Sequence, residues 1–257
     1  MSTPHRPRKR FGQNFLHDPG SIERILAAIG PQPGQALVEI GPGRGALTWR
    51  LLERLGRLEV IELDRDLCAR LDSERHARSG ELIIHNADAL KTDFCRLEQP
   101  PPLRVVGNLP YNISTPLLFH LLGQAGCIRD MHFLLQKEVV ERMAAVPGGK
   151  DYGRLSVMLQ MLCEVEPLFP VGPGAFHPPP KVDSACVRLT PLPNPRYAID
   201  PERFSGRVKL AFAQRRKTLR NNLKGVIDAA QLEAAGIDPG RRAETLTLEE
   251  FACLSRL

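Results

Sequence analysis

Between residues 36 and 138, short apolar runs alternate with segments that have helical periodicity. The apolar runs are ALVEIG (36–41), RLEVIELD (57–64), ELIIHNAD (81–88), LRVVGN (103–108) and MHFLLQKE (131–138). The helical segments between them are GALTWRLLERLG (45–56), RDLCARLDSER (65–75) and TPLLFHLLGQ (115–124). Strands that alternate with helices at this spacing predict an α/β fold, in which a parallel sheet carries helices on both faces.

The pattern changes after about residue 150. A helix that leads into a strand is predicted at GRLSVMLQMLCEV (153–165), and another strand at ACVRLTP (185–191). PLPNPR (191–196) has three prolines in six residues, which is typical of a linker. Beyond the linker only helices are predicted. They are one long helix over 204–225, a second at 228–236, and a last one that begins at Thr247, where Glu250 completes a capping box. We therefore expect a first domain over residues 1–192 and a small helical domain over 193–257.

The net charge of +6 is unevenly distributed along the chain. Residues 1–10 carry four bases and no acid, and residues 201–225 carry eight bases against Glu202 alone. These two segments hold +11 together, so the remainder of the chain sums to −5. Clustered positive charge of this kind is typical of proteins that bind a polyanion such as nucleic acid.

Composition excludes several other classes of protein. No apolar run approaches the roughly 18–20 residues that span a bilayer, and the basic N-terminus lacks the apolar stretch of a signal peptide. We therefore expect a cytoplasmic protein that does not bind a membrane. The six cysteines are widely spaced without a CxxC pair, and the seven histidines show no metal-binding spacing. We expect neither a disulfide framework nor a metal, and most cysteines should be small core side chains.

The first strand runs into EIGPGRGALT (39–48), a loop rich in glycine. Gly41, Gly43 and Gly45 allow the backbone to turn sharply and to approach a ligand at the start of the next helix. Glu62, at the end of the second strand, can accept hydrogen bonds from ribose hydroxyls. These features fit a dinucleotide as well as S-adenosylmethionine, because the loop also matches the pattern GxGxxA.

Two carboxylates favour S-adenosylmethionine over NAD. Glu39 lies just before the glycines, where a negative charge suits a sulfonium-bearing cofactor better than it suits a pyrophosphate. Asp88, in NADAL after the third strand, can accept from an adenine amino group. In addition, no second set of strands offers a site for a nicotinamide, so we disfavour a dehydrogenase.

The segment GNLPY (107–111) follows the fourth strand, at the edge where open α/β sheets bind their ligands. An adenine amino group is a poor nucleophile because its lone pair is delocalised into the ring. The side-chain oxygen of Asn108 and a backbone carbonyl of the loop could accept its two hydrogens and localise that lone pair. Pro110 stiffens the loop so that the acceptors are already in place, and Tyr111 offers a ring on which a flipped-out base can stack.

Several motifs occur in a fixed order: FGQNFL (11–16), EIGPGRGALT, VIELD, NADAL, NLPYNIS (108–114) and FHPPPKVDSACVRL (176–189). With RRAETLTLEEF (241–251) they cover nearly the whole chain. This set resembles the ribosomal RNA adenine N6,N6-dimethyltransferases, and it is most similar to the bacterial small-subunit branch. The resemblance implies a Rossmann-like S-adenosylmethionine-dependent methyltransferase domain, followed by a helical domain that binds rRNA.

The resemblance also implies roles for individual residues. The cofactor contacts fall on Asn14, Leu16, Gly41, Glu62, Asp88 and Asn108. The catalytic and base contacts fall on Asn108, Leu109, Pro110, Tyr111 and Phe176. From its local sequence alone, Phe176 would be a core aromatic beside a proline turn.

The basic helix over 204–225 predicts where the RNA docks. Arg216, Arg220 and Lys224 fall at i, i+4 and i+8 and would form one stripe, which Arg207 and Arg215 flank or extend. Phe204, Val208, Phe212, Leu219 and Leu223 should face the core.

The expected function is dimethylation of two adjacent adenines near the 3′ end of 16S rRNA, with a role in small-subunit biogenesis. The partner would be the small ribosomal subunit or its precursor, and the protein would be a monomer. Two alternatives stay open. One is an assembly factor that acts mainly by binding, and the other is a large-subunit rRNA methyltransferase of the macrolide-resistance type. Methylation of DNA adenine is disfavoured because NLPY lacks the usual second proline.

Overall fold

The computed structural model describes residues 13–257, so the basic segment at residues 1–10 lies outside the described residues. The strands are β1 Phe15–Leu16, β2 Leu37–Ile40, β3 Arg57–Glu62, β4 Glu81–Asn86, β5 Leu103–Asn108, β6 Ile128–Gln136, β7 Cys163–Val171, β8 Phe176–His177 and β9 Ser184–Pro191. The α-helices are α1 Pro19–Ile29, α2 Thr48–Leu55, α3 Arg65–Arg75, α4 Ser114–Leu122, α5 Lys137–Met143, α6 Arg154–Leu162, α7 Pro201–Ala211, α8 Leu219–Asn222, α9 Ala229–Ala234 and α10 Leu248–Arg256.

Seven strands form one sheet in the order β4-β3-β2-β5-β6-β9-β7, with helices on both sides. The five strands β2, β3, β4, β5 and β6 pair with one another in parallel, and this confirms the prediction from the alternating pattern. β9 instead pairs antiparallel with β6, so the sheet is mixed. The first residue of β9, Ser184, lies opposite Gln136, the last residue of β6. β9 therefore starts at the carboxyl edge of the sheet and runs back.

The burial of β2 and α2 follows from their sequences. Leu37, Val38 and Ile40 are at most 2% exposed, because helices cover both faces of a central parallel strand. α2 buries Leu51, Leu52 and Leu55 on one stripe, and it ends at Gly56 with a φ of 79°. Burial of each leucine contributes roughly 1.5–3 kcal/mol and fixes the helix against the sheet.

A two-stranded antiparallel sheet joins β1 to β8. Phe15 lies opposite His177, and Leu16 lies opposite Phe176. This pairing brings the QNFL motif to the FHPPP turn across 160 residues of sequence. Strands of two residues carry no periodicity, so the sequence did not predict them. The pairing holds Asn14 at the carboxyl edge of the large sheet.

The chain divides into two compact units. The first comprises the residues up to Val140 together with Glu166–Pro191, and it contains the carboxyl edge of the sheet. The second comprises Glu141–Val165 and Leu192–Leu257. The end of the first unit near 191 lies close to the predicted linker. However, Glu141–Val165, which the sequence placed in the first domain, groups with the C-terminal helices.

In the second unit, the prediction of one long helix over 204–225 is wrong. α7 ends at Ala211, and the side chain of Asn222 donates to the carbonyl oxygens of Ala211 and Gln214, at 2.7 and 3.1 Å. These bonds satisfy carbonyls at the helix end that would otherwise accept from the next turn. Arg216 therefore lies in a turn and Arg220 lies in the short α8, so no continuous stripe of cations exists.

Four of the five predicted core positions of this segment are buried all the same, and Phe212 is partly buried. Phe204, Val208, Leu219 and Leu223 are at most 1% exposed, and Phe212 stacks on Phe251 with ring centroids 5.5 Å apart. The capping box at Thr247 is also confirmed, because its side chain accepts from the amide of Glu250.

The cysteines differ from the expectation at one pair. Cys95 and Cys127 form one disulfide, whereas the spacing of the cysteines indicated no disulfide framework. They lie 32 residues apart in two short 3₁₀-helices, one before β5 and one after α4, and no local pattern marks them. Cys68, Cys163 and Cys186 are buried thiols, and burial raises the pKa of Cys186 to about 12.

Candidate active site

The glycine loop between β2 and α2 needs its glycines. Gly41, Gly43 and Gly45 have φ of 66°, 58° and 81°, in the left-handed region that other residues rarely adopt. A Cβ on Gly45 would lie 2.4 Å from Nε1 of Trp49, and one on Gly43 would lie 3.0 Å from the ring of Phe15. The backbone of this loop is therefore closely packed against Trp49 and Phe15, and at Gly41 and Gly43 it faces a cavity that a ligand can enter.

Glu62 holds that loop to the end of β3. Its carboxylate accepts from the amide of Gly43 at 3.2 Å and from the amide of Asp64 at 2.9 Å. The residue is 8% exposed, and this burial raises the pKa of its carboxyl group. Each carboxylate oxygen has two acceptor positions, so both oxygens can still accept from ribose hydroxyls while they keep the backbone bonds.

Asp88 follows β4 and faces the same space. Its Oδ1 accepts from the amide of Leu90 at 3.0 Å, which fixes the carboxylate at the start of the turn. Within residues 13–257, no group donates to its Oδ2. This oxygen is therefore available to an adenine amino group.

Asn108 ends β5, and its amide orientation is determined by its partner. Nδ2 donates to the carbonyl oxygen of Asn14 at 3.0 Å, and a carbonyl oxygen can only accept. The other end of the amide, Oδ1, is thus left as an acceptor. Gly107 precedes it because a Cβ there would lie 2.5 Å from the carbonyl oxygen of Ile40. The close approach of β5 to β2 brings Asn108 beside the glycine loop.

The rest of the Asn-Leu-Pro-Tyr loop is fixed from three directions. Leu109 is 1% exposed and its amide donates to Leu134, so its side chain anchors the loop in the core. The carbonyl oxygen of Pro110 accepts from the amide of Ile113. By contrast, no donor in the described part of the chain reaches the carbonyl oxygen of Leu109. That oxygen is the loop carbonyl available as a second acceptor.

Tyr111 is held by its hydroxyl. The Tyr111 hydroxyl and Oγ of Ser184 share a hydrogen bond of 2.7 Å, and burial raises the pKa of the phenol. The sequence did not identify Ser184, because its position depends on the register between β6 and β9. The bond leaves the ring half-buried at the cavity wall.

These side chains surround one cavity of about 310 Å³, which is of the size that small cofactors occupy. Its walls include eight of the ten residues to which the sequence assigned cofactor, catalytic or base contacts: Asn14, Gly41, Glu62, Asp88, Asn108, Leu109, Pro110 and Tyr111. The other two do not reach this wall. Leu16 and Phe176 are 6% and 2% exposed and belong to the hydrophobic core.

Glu39 lies beneath the glycine loop, away from this cavity. Thr48 donates to its carboxylate at 2.7 Å, and the residue lines a smaller adjoining cavity with Leu16, Gly41 and Asn108. Complete burial raises the pKa of Glu39 to about 8. The sequence interpretation placed a negative charge of Glu39 beside the cofactor. In the structure the residue lies outside the cofactor cavity and carries little charge at neutral pH, because burial disfavours its ionised form, so Glu39 does not supply that charge.

Two further observations concern metal binding and membrane spans. Among residues 13–257, no group of three or more His, Cys, Asp or Glu side chains could hold a metal ion. No helix of that part of the chain is long and apolar enough to cross a membrane.

The seven-stranded sheet, with a glycine loop after β2 and polar residues at the ends of β3, β4 and β5, defines the class of Rossmann-like S-adenosylmethionine-dependent methyltransferases. Solved structures share this fold over most of the chain. A dimethyladenosine transferase from Plasmodium falciparum is similar with a TM-score of 0.80 and 25% identity, over 93% of this chain and 95% of that one. The 23S rRNA methyltransferase ErmE is similar with a TM-score of 0.70 and 29% identity, over 95% and 98%.

The family follows from the sequence comparisons. The model for ribosomal RNA adenine dimethylases matches residues 4–257, and the chain belongs to that family. It is 62% identical to ribosomal RNA small subunit methyltransferase A of Nitrosococcus oceani, over 98% of this chain and 96% of the relative. It is 60% identical to the protein of that name from Pseudomonas aeruginosa, over 98% and 94%. The chain is therefore an rRNA adenine methyltransferase that uses S-adenosylmethionine.

Proposed function

We propose that this enzyme dimethylates N6 of two adjacent adenines near the 3′ end of 16S rRNA, within the small ribosomal subunit or its precursor. The relatives named for the small subunit are about 60% identical over nearly the full length, whereas the large-subunit enzyme ErmE is 29% identical. This difference favours the small subunit over the macrolide-resistance type of target. We expect the enzyme to act in the cytoplasm, in keeping with a ribosomal substrate, and as a monomer.

The observation that carries the chemical proposal is the orientation of the Asn108 amide. Because Nδ2 donates to Asn14, Oδ1 is held as an acceptor at the end of β5. Oδ1 and the carbonyl oxygen of Leu109 accept the two hydrogens of the adenine amino group. Their pull turns the nitrogen toward a tetrahedral shape and localises its lone pair. Acceptors that are fixed beforehand need no reorganisation at the moment of reaction.

The bound cofactor supplies an electrophilic methyl group on a sulfonium. Asn14, Leu16, Gly41, Glu62, Asp88 and Asn108 hold it in this proposal. Gly41 provides close backbone approach, Glu62 accepts from the ribose and Asp88 accepts from the adenine. The cavity that most of these residues line offers the matching hydrogen-bond acceptors, because the buried carboxylate of Glu62 and a free carboxylate oxygen of Asp88 lie at the ends of adjacent strands.

The chain needs no general base for attack. Once the nitrogen carries a new methyl group it is cationic, and it loses a proton readily. After the first methylation one hydrogen remains, so one of the two acceptors suffices for the second round. Tyr111 and Pro110 provide the surface on which the flipped adenine rests, and Phe176 supports it from the core.

The second unit binds rRNA in this proposal, through Arg207, Arg215, Arg216, Arg220 and Lys224. Arg216, Arg220 and Lys224 are exposed. Arg215 contacts the carbonyl oxygen of Lys150 and lies 3.8 Å from Glu244, so part of its charge is used within the unit. These cations are spread over α7, the turn after it and the region of α8 and do not follow one straight helix, and this arrangement suits phosphates of an irregular RNA better than those of a straight duplex.

The test is methyl transfer to purified ribosomal subunits from cells that lack this modification. We expect label from S-adenosylmethionine to enter small subunits and not large subunits. Transfer of about equal efficiency to large subunits would contradict the proposal. A variant without transfer that still restores small-subunit assembly in cells would show that binding alone serves biogenesis.

A further inference from the structure

A surface depression of about 470 Å³ lies on the first unit, apart from the cavity already described. Arg44 enters it from the glycine loop, and Trp49, Arg50 and Glu53 enter it from α2. Arg78 enters from the turn after α3. Three guanidinium groups and one carboxylate give this depression a net charge of about +2. The indole ring of Trp49 lies among these charged groups.

Two of these cations lack the ion pairs that neighbouring arginines have. On the same helix, Arg54 pairs with Glu23 at 2.9 Å, and near the end of α3 Arg75 pairs with Asp72 at 2.9 Å. No carboxylate in residues 13–257 lies within ion-pair distance of Arg50 or Arg78. Both residues are exposed, so a ligand can reach them.

The orientation of Arg78 is fixed by stacking. Its guanidinium carbon lies 5.1 Å from the centroid of the Trp49 ring. A guanidinium that lies over an aromatic face keeps its N–H edge directed outward, and this edge matches two oxygens of one phosphate. Trp49 is itself held in place, because it packs against the hydrophobic core and against the backbone of Gly45.

We propose that this depression binds the sugar-phosphate backbone of the substrate rRNA, on nucleotides outside the target pair. Arg50 and Arg78 each take a phosphate, and Trp49 aligns Arg78. The inference rests on the proposed function only for the identity of the RNA. An RNA contact on the first unit, which also carries the active-site loop, would limit rotation of the target over that loop.

The position of the depression links it to the cofactor. Arg44 lies between Gly43 and Gly45, and its guanidinium carbon is 4.6 Å from the centroid of the Phe15 ring. Phe15 also lines the cofactor cavity. A phosphate bound in this depression therefore lies beside the loop that approaches the cofactor, and any effect of RNA on cofactor affinity must be matched by an equal effect of the cofactor on RNA affinity.

Trp49 is the single tryptophan of the chain, so tryptophan fluorescence reports on this depression alone. The probe is a stem–loop RNA with two adjacent adenines in its loop, titrated at several salt concentrations. Labelled RNA gives the affinity by anisotropy. The test variant is Arg50→Gln/Arg78→Gln, and the control is Arg54→Gln on the same helix. Thermal unfolding and cofactor binding of each variant establish that the fold is intact.

We expect RNA to change the Trp49 fluorescence of the unmodified protein. The double variant should bind about tenfold more weakly, and its slope of log affinity against log salt should be smaller by about 1.4, for two phosphate contacts to single-stranded RNA. The control Arg54→Gln should keep the RNA affinity and the salt slope of the unmodified protein. Equal affinity and equal slope in the double variant would overturn the proposal, as would fluorescence that does not respond to saturating RNA.

Methyl transfer to small subunits is measured in parallel, so that two failures can be told apart. If the unmodified protein methylates small subunits but the double variant binds RNA normally, the depression is not an RNA site and the proposed function stands. If the double variant loses RNA affinity but the unmodified protein does not methylate small subunits, the depression stands and the proposed target is wrong.

Discussion

At the scale of single residues, Tyr111 combines a stacking surface with an anchor. Its hydroxyl bonds to Ser184, so removal of the hydroxyl and removal of the ring have different effects. Tyr111→Ala should weaken capture of the target adenine by about 1–3 kcal/mol, the range for one stacked base. Tyr111→Phe keeps the ring and loses one hydrogen bond, so its effect should be about 0.5–1.5 kcal/mol.

The measurement is RNA affinity of both variants and of Ser184→Ala, which removes the same hydrogen bond from its other side. Ser184→Ala should resemble Tyr111→Phe. If Tyr111→Phe were as damaging as Tyr111→Ala, the hydroxyl would act in its own right and the stacking role would be wrong.

Glu62 gives the corresponding test for the cofactor. Glu62→Ala removes the acceptor for ribose hydroxyls and also releases the amides of Gly43 and Asp64. A charge-assisted hydrogen bond contributes roughly 1.5–3 kcal/mol, so S-adenosylmethionine should bind about ten- to a hundredfold more weakly by calorimetry. Glu62→Gln, which keeps the shape, should lose less. Unchanged affinity in the alanine variant, or tight NAD binding by the unmodified protein, would contradict the assignment.

The sequence was most informative for residues at strand ends. Glu62, Asp88 and Asn108 were predicted because parallel strands bring their carboxyl ends to one edge. Ser184 was missed, because it reaches Tyr111 through the register of two strands that are distant in sequence. The burial of Phe176 agrees with its local sequence, whereas its pairing with Leu16 through β8 and β1 was beyond local patterns.

At the scale of secondary-structure elements, the segment from β2 into α2 carries a buried acid. The pKa of Glu39 is about 8 in the folded protein, against 4.5 for an ordinary glutamate. Between these two values the folded chain holds a proton that the unfolded chain releases, so the free energy of unfolding should fall as pH rises. At about 1.4 kcal/mol per pKa unit, this loss is on the order of 3 kcal/mol by neutral pH.

Glu39→Gln removes this titration and can still accept from Thr48. Urea unfolding at about pH 5 and at about pH 7.5 should show that the variant loses less stability than the unmodified protein across this interval. Parallel pH dependence in the two proteins would mean that Glu39 is already ionised in the folded state.

The break between α7 and α8 shows where periodicity misleads. Phe212 and Leu219 lie seven residues apart, which is two helical turns, so the apolar pattern continues through residues that form a turn. The side chain of Asn222 stabilises that turn through long-range bonds that no helical pattern reveals.

The basic cluster on this turn still predicts RNA binding. Arg216→Gln/Arg220→Gln/Lys224→Gln should weaken binding to small subunits and reduce the slope of log affinity against log salt by somewhat under one unit for each lost phosphate contact. Cofactor binding should not change. The matched control is Arg203→Gln, another exposed cation of the same unit. Binding with unaltered affinity and slope would exclude this cluster as a docking surface.

For the whole molecule, the alternation of strands and helices determined the class of fold, and the order of motifs determined the family. The sequence did not predict the return of β9 along β6 or the grouping of Glu141–Val165 with the C-terminal helices. Both depend on which surfaces pack together, and this information is not carried by local periodicity. The division of work between a catalytic unit and an RNA-binding unit remains a prediction.

The central claim is that Asn108 activates two adjacent adenines of 16S rRNA for dimethylation. Its most direct test is mass spectrometry of the 3′ fragment of 16S rRNA from a deletion strain that expresses either the unmodified protein or Asn108→Ala. Loss of one preorganised hydrogen bond to a reacting group, as measured for oxyanion-hole donors, reduces turnover by about 10²–10³, and we expect an effect of this order for the acceptor Asn108. We therefore predict four added methyl groups, on two adjacent adenines, with the unmodified protein, and an almost unmethylated fragment with the variant, although the variant still binds small subunits. Full dimethylation by Asn108→Ala, or a fragment left unmethylated by the unmodified protein, would contradict the account.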